Sequence, residues 1–289
     1  MILVVLLALF AHVGYTLNDI SGALGARKFD GKLMSLMSWV TCSAMYLLLL
    51  PFLWRGSLLL KPTLVSIFSG VLAGVAYPLF LNAMKKGNPT LVGVVAGTFP
   101  LWIVILSVIF YKEVLTGAQI VVIACIILGI ILSALHLTRQ TRLHTMLNKY
   151  TLHALLVSIM WGLAFAVLKY PAETIGWFKV SIVTSYAGSA LSIIWLYPKL
   201  KGTVLSSFKK YYRYPVVNAL TGVSATLAYN FALTRGNSSL VAPIAGSYSG
   251  LFAILSYVAF KEKLTRLQIL GVIIIFGGVV VLSVLVANS

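Results

Sequence analysis

Residues 87–119, GNPTLVGVVAGTFPLWIVILSVIFYKEVLTGAQ, and residues 236–268, GNSSLVAPIAGSYSGLFAILSYVAFKEKLTRLQ, read as two copies of one segment. At an offset of 149 they agree at 14 of 33 positions, including Gly87 with Gly236, Asn88 with Asn237, Lys112 with Lys261, Glu113 with Glu262 and Gln119 with Gln268. Chance does not produce that agreement, so the chain carries an internal repeat. Each copy also holds an apolar run of about twenty residues, long enough to span a hydrocarbon core of about 30 Å.

Outward from these copies, runs of the same kind fill the 289 residues. They predict helices at about 2–19, 33–53, 62–84, 89–110, 116–136, 151–168, 178–197, 213–233, 239–259 and 265–286. The sixth is short, and the eighth is rich in Asn, Thr and Ser, the weak hydropathy of a helix that faces a wet cavity. Val13-Gly14 faces Trp161-Gly162 near an offset of 148, which extends the repeat to five helices. Residues 1–138 form the first repeat, 139–150 a basic link and 151–289 the second. An odd helix count forces the second copy into the membrane with opposite polarity. The expected fold is an all-α polytopic membrane protein with ten transmembrane helices in two inverted five-helix repeats, an arrangement of secondary transporters with a substrate site between the halves.

Composition agrees with lipid as the solvent. Hydrophobic residues make up 60% of the chain and charged residues 9%, against roughly 25% charged in soluble domains. The net charge of +17 resides in short links between apolar runs, where it reads as a topology signal, and no basic face with interleaved aromatics is present to hold nucleic acid. Links after helices 1, 3, 5, 7 and 9 carry 16 Lys and Arg, and those after 2, 4, 6 and 8 carry 6. The richer set is expected in the cytoplasm, with both termini outside. MILVVLLALFAHVGY has no basic n-region and is read as the first helix, not a signal peptide. Cys42 and Cys125 fall in apolar runs without metal-ligand spacing, so neither a disulfide nor a zinc site is expected. Five carboxylates, no metal spacing and no phosphate loop argue against an enzyme or an ATP-driven pump. No cofactor is expected.

The motifs divide into structural and functional readings. Thr116 with Gln119 and Thr265 with Gln268 have capping-box spacing. Lys112-Glu113 and Lys261-Glu262 read as interfacial anchors, or as a gating ion pair. Gly70 with Gly74, Gly93 with Gly97 and Gly246 with Gly250 permit close helix approach, and the last two pairs place their equivalent helices at the central axis. Pro78, Pro100 and Pro243 introduce local breaks.

His12, Tyr15, Thr16 and Asp19 lie at i, i+3, i+4 and i+7 on helix 1, a polar stripe that should avoid lipid. Its readings are a cavity wall with a titratable His or Asp, or an Asp at headgroup level and a His bonded within the bundle. Helix 6 offers Trp161, Phe165 and Lys169, the lysine either snorkelling to the interface or closing a substrate path. Helix 8 adds Thr226, Tyr229 and Asn230, helix 9 Ser247 and Tyr248, helix 4 Thr98, and helix 3 Tyr77 and Asn82. This set is aromatic and uncharged polar, without an obvious cluster of buried charge. It suits a neutral, zwitterionic or aromatic solute, and lacks the several cations a multiply phosphorylated one requires.

Trp161-Gly162 with Lys169, and the two segments ending in Phe/Tyr-x-Glu-x-Leu-Thr type links, resemble the EamA-like permeases of the drug/metabolite transporter superfamily over essentially the whole chain. The resemblance implies a secondary carrier working by alternating access, a cavity lined by helices 1, 3, 4, 6, 8 and 9, and peripheral helices 5 and 10. It implies export or exchange of amino acids, drugs or other metabolites, and termini in the cytoplasm, opposite to the charge count. Helix 1 departs from the family pattern, with Val13-Gly14 where members often carry Trp-Gly and Ser21 where many carry Lys. Expected partners are a small-molecule substrate, membrane lipids and protons or another coupling ion, in a monomer or homodimer of a prokaryotic cytoplasmic membrane. A flippase for lipid-linked carriers, with a groove open sideways to the bilayer, is the competing reading.

Overall fold

The computed structural model describes residues 1–134, 148–261 and 264–288. Among them are thirteen helices and no strand: α1 (Ile2–Lys28), α2 (Gly31–Leu53), α3 (Leu60–Lys86), α4 (Pro89–Ala96), α5 (Phe99–Tyr111), α6 (Gly117–Ala134), α7 (Lys149–Ala166), α8 (Lys169–Ile175), α9 (Trp177–Tyr211), α10 (Arg213–Leu233), α11 (Ser238–Gly246), α12 (Ser249–Phe260) and α13 (Arg266–Ala287). A lipid core offers backbone groups no water, so a crossing segment must satisfy its own N–H and C=O, and these apolar runs do so as helices. Among the described residues nine passages are long and apolar enough to cross, and a further apolar run is the shorter Gly117–Ser133. The passages α4–α5, α7–α8 and α11–α12 are each interrupted.

Three of the expected boundaries move. The first helix runs to Lys28, not to residue 19, because Gly22 and Gly25 press against Tyr77, Asn218 and Met34 after the apolar run has thinned. The seventh continues through Pro198 to Tyr211. Its 35 residues make a rod of about 50 Å, longer than the hydrocarbon core, so its lysine-rich end stands beyond the apolar layer. The sixth stops at Ala166 and restarts at Lys169.

Passages four and nine break at equivalent places. Gly97 and Thr98 separate α4 from α5, and Ser247 and Tyr248 separate α11 from α12, so the two interruptions fall within one residue of the repeat offset. Pro100 occupies the first turn of α5 just past its break, where a missing N–H is harmless. Pro78 and Pro243 instead lie within the uninterrupted α3 and α11.

Glycines set the closest contacts. A Cβ at Gly93 would strike the Phe252 ring, and one at Gly246 would strike Pro100, so passages four and nine touch backbone to side chain at the centre. Gly250 meets Ile275 of α13. Gly70 and Gly74 of α3 press on Thr184 and Gly188 of α9. Passage nine is the most deeply buried of the long apolar passages among the described residues, which makes it the axis of the bundle. Exposed Leu47, Leu48 and Phe52 on α2, Ile194 on α9, and Ile273 and Val280 on α13 face outward, as lipid-facing side chains do. Helices α6 and α13 pack on each other through Gly129 and Gly271, off to one side.

Both capping boxes form. Gln119 N–H donates to Thr116 Oγ1 at 3.3 Å while Thr116 N–H donates to Gln119 Oε1 at 2.9 Å. Thr265 and Gln268 make the same two bonds at the same two distances. Lys112 and Lys261, which end α5 and α12, both adopt the left-handed conformation at φ 55° and 59°. That turn reverses the chain out of each helix, and at Lys112 it leaves the lysine exposed and sends Glu113 inward.

Candidate functional site

A cavity of about 150 Å³ lies among α1, α2, α3, α5, α7, α9, α10 and the start of α12. The two breaks shape it. Phe99 and Tyr248, equivalent at the offset of 149, stand at the first residue of α5 and in the turn just before α12, and their rings meet at 6.0 Å. Phe99 further contacts Phe165 at 5.5 Å and Trp161 at 6.1 Å, and Tyr15 meets Phe165 edge-on at 5.9 Å. Together with Trp39, Tyr46 and Tyr77 these rings give the wall eight aromatic side chains.

The polar part of the wall centres on Asp19. It is 4% exposed, faces the cavity and accepts from the Tyr248 hydroxyl at 2.8 Å, so it belongs to the protein interior. Beside it, Asn18 Nδ2 donates to the Asn218 carbonyl at 2.7 Å and Asn218 Nδ2 donates back to the Asn18 carbonyl at 2.6 Å. Asn218 Nδ2 also donates to Tyr77 Oη at 2.7 Å. The amides thereby tie α1 to α10 and hold Tyr77 against the cavity.

Of the residues expected at a site, the structure brings Tyr15, Asp19, Tyr77, Trp161, Phe165, Thr226 and Tyr248 to this cavity. The others lie behind it. His12 Nδ1–H donates to the Ile244 carbonyl at 3.1 Å, and the Ser247 hydroxyl donates to the same oxygen at 3.0 Å. Both therefore serve a carbonyl near the α11 break, the repair that an interrupted membrane helix needs. The Thr16 hydroxyl donates to the His12 carbonyl at 2.8 Å in the same seam. Thr98 and Ser158 share a hydrogen bond of 2.8 Å between α5 and α7. Asn230 Nδ2 donates to Ser181 Oγ at 2.7 Å, and Tyr229 is buried behind Tyr15 and Phe165. Asn82 packs near the end of α3 against Gly31.

Lys169 corrects two expectations at once. It does not snorkel: its Nζ donates to Glu113 Oε1 at 2.6 Å, with the two side chains 11% and 4% exposed, so buried charge is present after all. Nor is Glu113 paired with its neighbour Lys112. Ser238 N–H donates to Glu113 Oε1 at 2.9 Å and Ser239 N–H to Oε2 at 2.8 Å. A carboxylate from the first repeat thus caps the N-terminus of α11 in the second, where free N–H groups and the helix dipole favour an anion. Burial alone would push the Glu113 carboxyl up, but the Lys169 ammonium and the Ser239 and Ser238 donors outweigh it and hold it below the usual carboxylate range. The Tyr111 hydroxyl donates to the Ala166 carbonyl at 3.0 Å, which seals the α7–α8 interruption beside this pair. Glu262, expected to act like Glu113, lies outside the described residues, as do residues 139–147 of the inter-repeat link.

Sequence reasoning missed the second and seventh passages. Ser38, Trp39, Cys42 and Tyr46 of α2 and Ser181, Thr184 and Ser185 of α9 line the cavity, as do Asn18, Ser69, Phe99 and Asn218. Ser43 and Ser189 join α2 to α9 at 2.7 Å between hydroxyls. The signal was available: Ser181, Ser185, Ser189 and Ser192 repeat at helical spacing, and a polar stripe in a membrane helix should face inward. As expected, α6 and α13 contribute nothing to the wall.

Two stretches of the chain, residues 2–135 and 148–284, match the sequence profile of the EamA-like transporter family. An uncharacterized protein of Methanocaldococcus jannaschii is 29% identical over 130 residues, which are 45% of this chain and 93% of that protein, so that relative is close to one repeat in length. An uncharacterized transporter of Archaeoglobus fulgidus is 31% identical over 142 residues, 47% of this chain and 48% of its own length, so the match spans about half of it. A solved crystal structure covers 96% of this chain and 98% of its own with a TM-score of 0.71 at 16% identity, a likeness of fold.

Proposed function

We propose, from the premise that this chain belongs to the EamA-like transporter family, that it is a secondary carrier for a small neutral, zwitterionic or aromatic solute. The chain is an integral membrane transporter of a prokaryotic cell. On this reading its two five-helix halves enter the membrane with opposite polarity and rock about the central cavity, exposing it to one side and then the other. The closely matched breaks at Gly97-Thr98 and Ser247-Tyr248, the matched left-handed lysines and the matched capping boxes support the two-fold design. The family profile, which matches once in each half, supports it too.

The observation that carries the reading is the aromatic and polar cavity between the halves. Its rings give an apolar or aromatic body surface to stack on, and Asp19, Asn18 and Asn218 give polar contacts on one side. The Glu113 contacts to Lys169, Ser238 and Ser239 join the halves and must part if the cavity is to open at that end. A proton or another ion is the coupling species in this scheme. The test is solute flux in proteoliposomes against a panel of amino acids, amines and aromatic metabolites, with and without a proton gradient. Protein-dependent flux of at least one member is expected, and a panel wholly without flux refutes the carrier reading.

A further inference from the structure

The cavity wall is chemically lopsided in a way that the overall composition hides. The chain holds 22 Lys and Arg against 5 Asp and Glu, yet among the described residues no Lys, Arg or His is on the wall, and Asp19 is its sole carboxylate. Resting on the carrier reading and narrowing its solute class to the aromatic branch, we propose that the cavity selects an organic monocation: an amine or quaternary ammonium group on an apolar or aromatic body about one ring in size, without an acidic group of its own.

Three observations lead there. Asp19 is nearly fully buried, and among the described residues no cationic side chain stands within ion-pair distance of it. A buried carboxylate lacking a counter-charge is costly, and a cationic ligand supplies what the protein leaves out. Second, eight aromatic side chains share the wall, Tyr15, Phe99, Phe165 and Tyr248 among them. Ring faces attract an ammonium group by their quadrupoles and repel an anion. Third, the volume of about 150 Å³ is the size of a cavity that takes one benzene-sized body. A zwitterion would need a cation for its carboxylate, and the wall supplies only neutral donors.

The experiment uses the full-length protein in lipid nanodiscs and benzyltrimethylammonium, whose charge does not depend on pH. Its binding is measured by calorimetry beside that of three probes of similar body: neopentylbenzene, its uncharged carbon isostere, phenylalanine and benzoate. The cation is expected to bind at least tenfold more tightly than each of the three. Asp19→Asn should weaken its binding at least tenfold and Asp19→Glu should restore most of it. Equal binding of the isostere or of phenylalanine, or cation binding untouched by Asp19→Asn, overturns the proposal. If Asp19→Asn does not fold, the four-probe comparison in the wild-type protein decides alone. The two readings fail separately. Flux of a neutral or zwitterionic solute without cation binding removes the cation class and keeps the carrier. Cation binding without flux of any solute keeps the site and removes the carrier.

Discussion

Removing either member of the Glu113–Lys169 pair should destabilise the protein, and by unequal amounts. With the two side chains 11% and 4% exposed, each single loss strands a buried charge, which costs on the order of 3–5 kcal/mol. Lys169→Met leaves the Glu113 carboxylate with the Ser238 and Ser239 N–H donors at the start of α11, so its effect belongs at the low end. Glu113→Gln removes the anion at the N-terminus of α11 and leaves the ammonium with Asn237 Oδ1 at 3.4 Å and Glu173 at 3.9 Å, so its effect belongs at the high end. In detergent or nanodiscs the melting temperature should fall on the order of 10 °C for either variant. The double variant should fall by less than the sum, with a coupling of about 2 kcal/mol. Exchanging the residues should not rescue, because a lysine at 113 would face two N–H donors. Acid should reveal the same pair. The folded carboxyl lies below its ordinary value, so its stabilising contribution is complete above the usual carboxylate range near about pH 4. It is lost as pH falls through the lowered value. Wild-type stability should therefore drop on acidification through this window, with Glu113→Gln showing a shallower slope. Additive single effects, within about 0.5 kcal/mol, together with identical acid slopes, would show that the pair is not coupled and that the reasoning is wrong.

Other outcomes follow from the same structure. Gly70→Leu should reduce stability by at least about 2 kcal/mol, since even a Cβ there meets the Thr184 carbonyl; a melting curve like that of wild type would contradict the close α3–α9 contact. Gln119→Ala and Gln268→Ala each remove one arm of a capping box and should each cost about 0.5–1 kcal/mol, read as a matched pair of small melting shifts. Paired reporter fusions at the C-terminus test orientation: the basic-residue count expects the periplasmic-type reporter to be active, and activity of only the cytoplasmic reporter would reverse it.

The sequence disclosed what is local. Thr116, Gln119 and their second-repeat equivalents are caps whose chemistry is complete within four residues, and both formed as spaced. Passage count followed from hydropathy for the same reason. What stayed hidden was set by distant partners. Helix α1 outlasts its apolar run because Gly22 and Gly25 find close neighbours on other helices. Lys169 finds Glu113 across 56 residues of chain, a pairing that no spacing rule encodes. His12 and Thr16 share a polar stripe with Tyr15 and Asp19, yet only the latter two reach the cavity. Helical periodicity names a face, and the rotation of that face against its neighbours decides which members meet solvent. The serines of α9 were the opposite case, legible by spacing but outweighed by an expectation placed on other helices.

The Glu113–Lys169 contact also bears on sidedness. In the two-fold reading the residue that answers to Lys169 at an offset of 148 is Ser21, whose hydroxyl donates to the Asn18 carbonyl at 2.9 Å. One end of the molecule therefore has an ammonium latch at a position where the other has a neutral hydroxyl. Unequal latches bias the empty protein toward the state that is shut at the latched end. A solute arriving from that end then meets a competent conformer in only a fraction of molecules, and its half-saturation concentration rises by the inverse of that fraction. In an uncoupled cycle, detailed balance requires the ratio of maximal rate to half-saturation to be equal in both directions. The maximal rate from the latched side must rise in the same proportion. Kinetic asymmetry measured across such a membrane would report the strength of the latch, while the binding pocket remained the same for both sides.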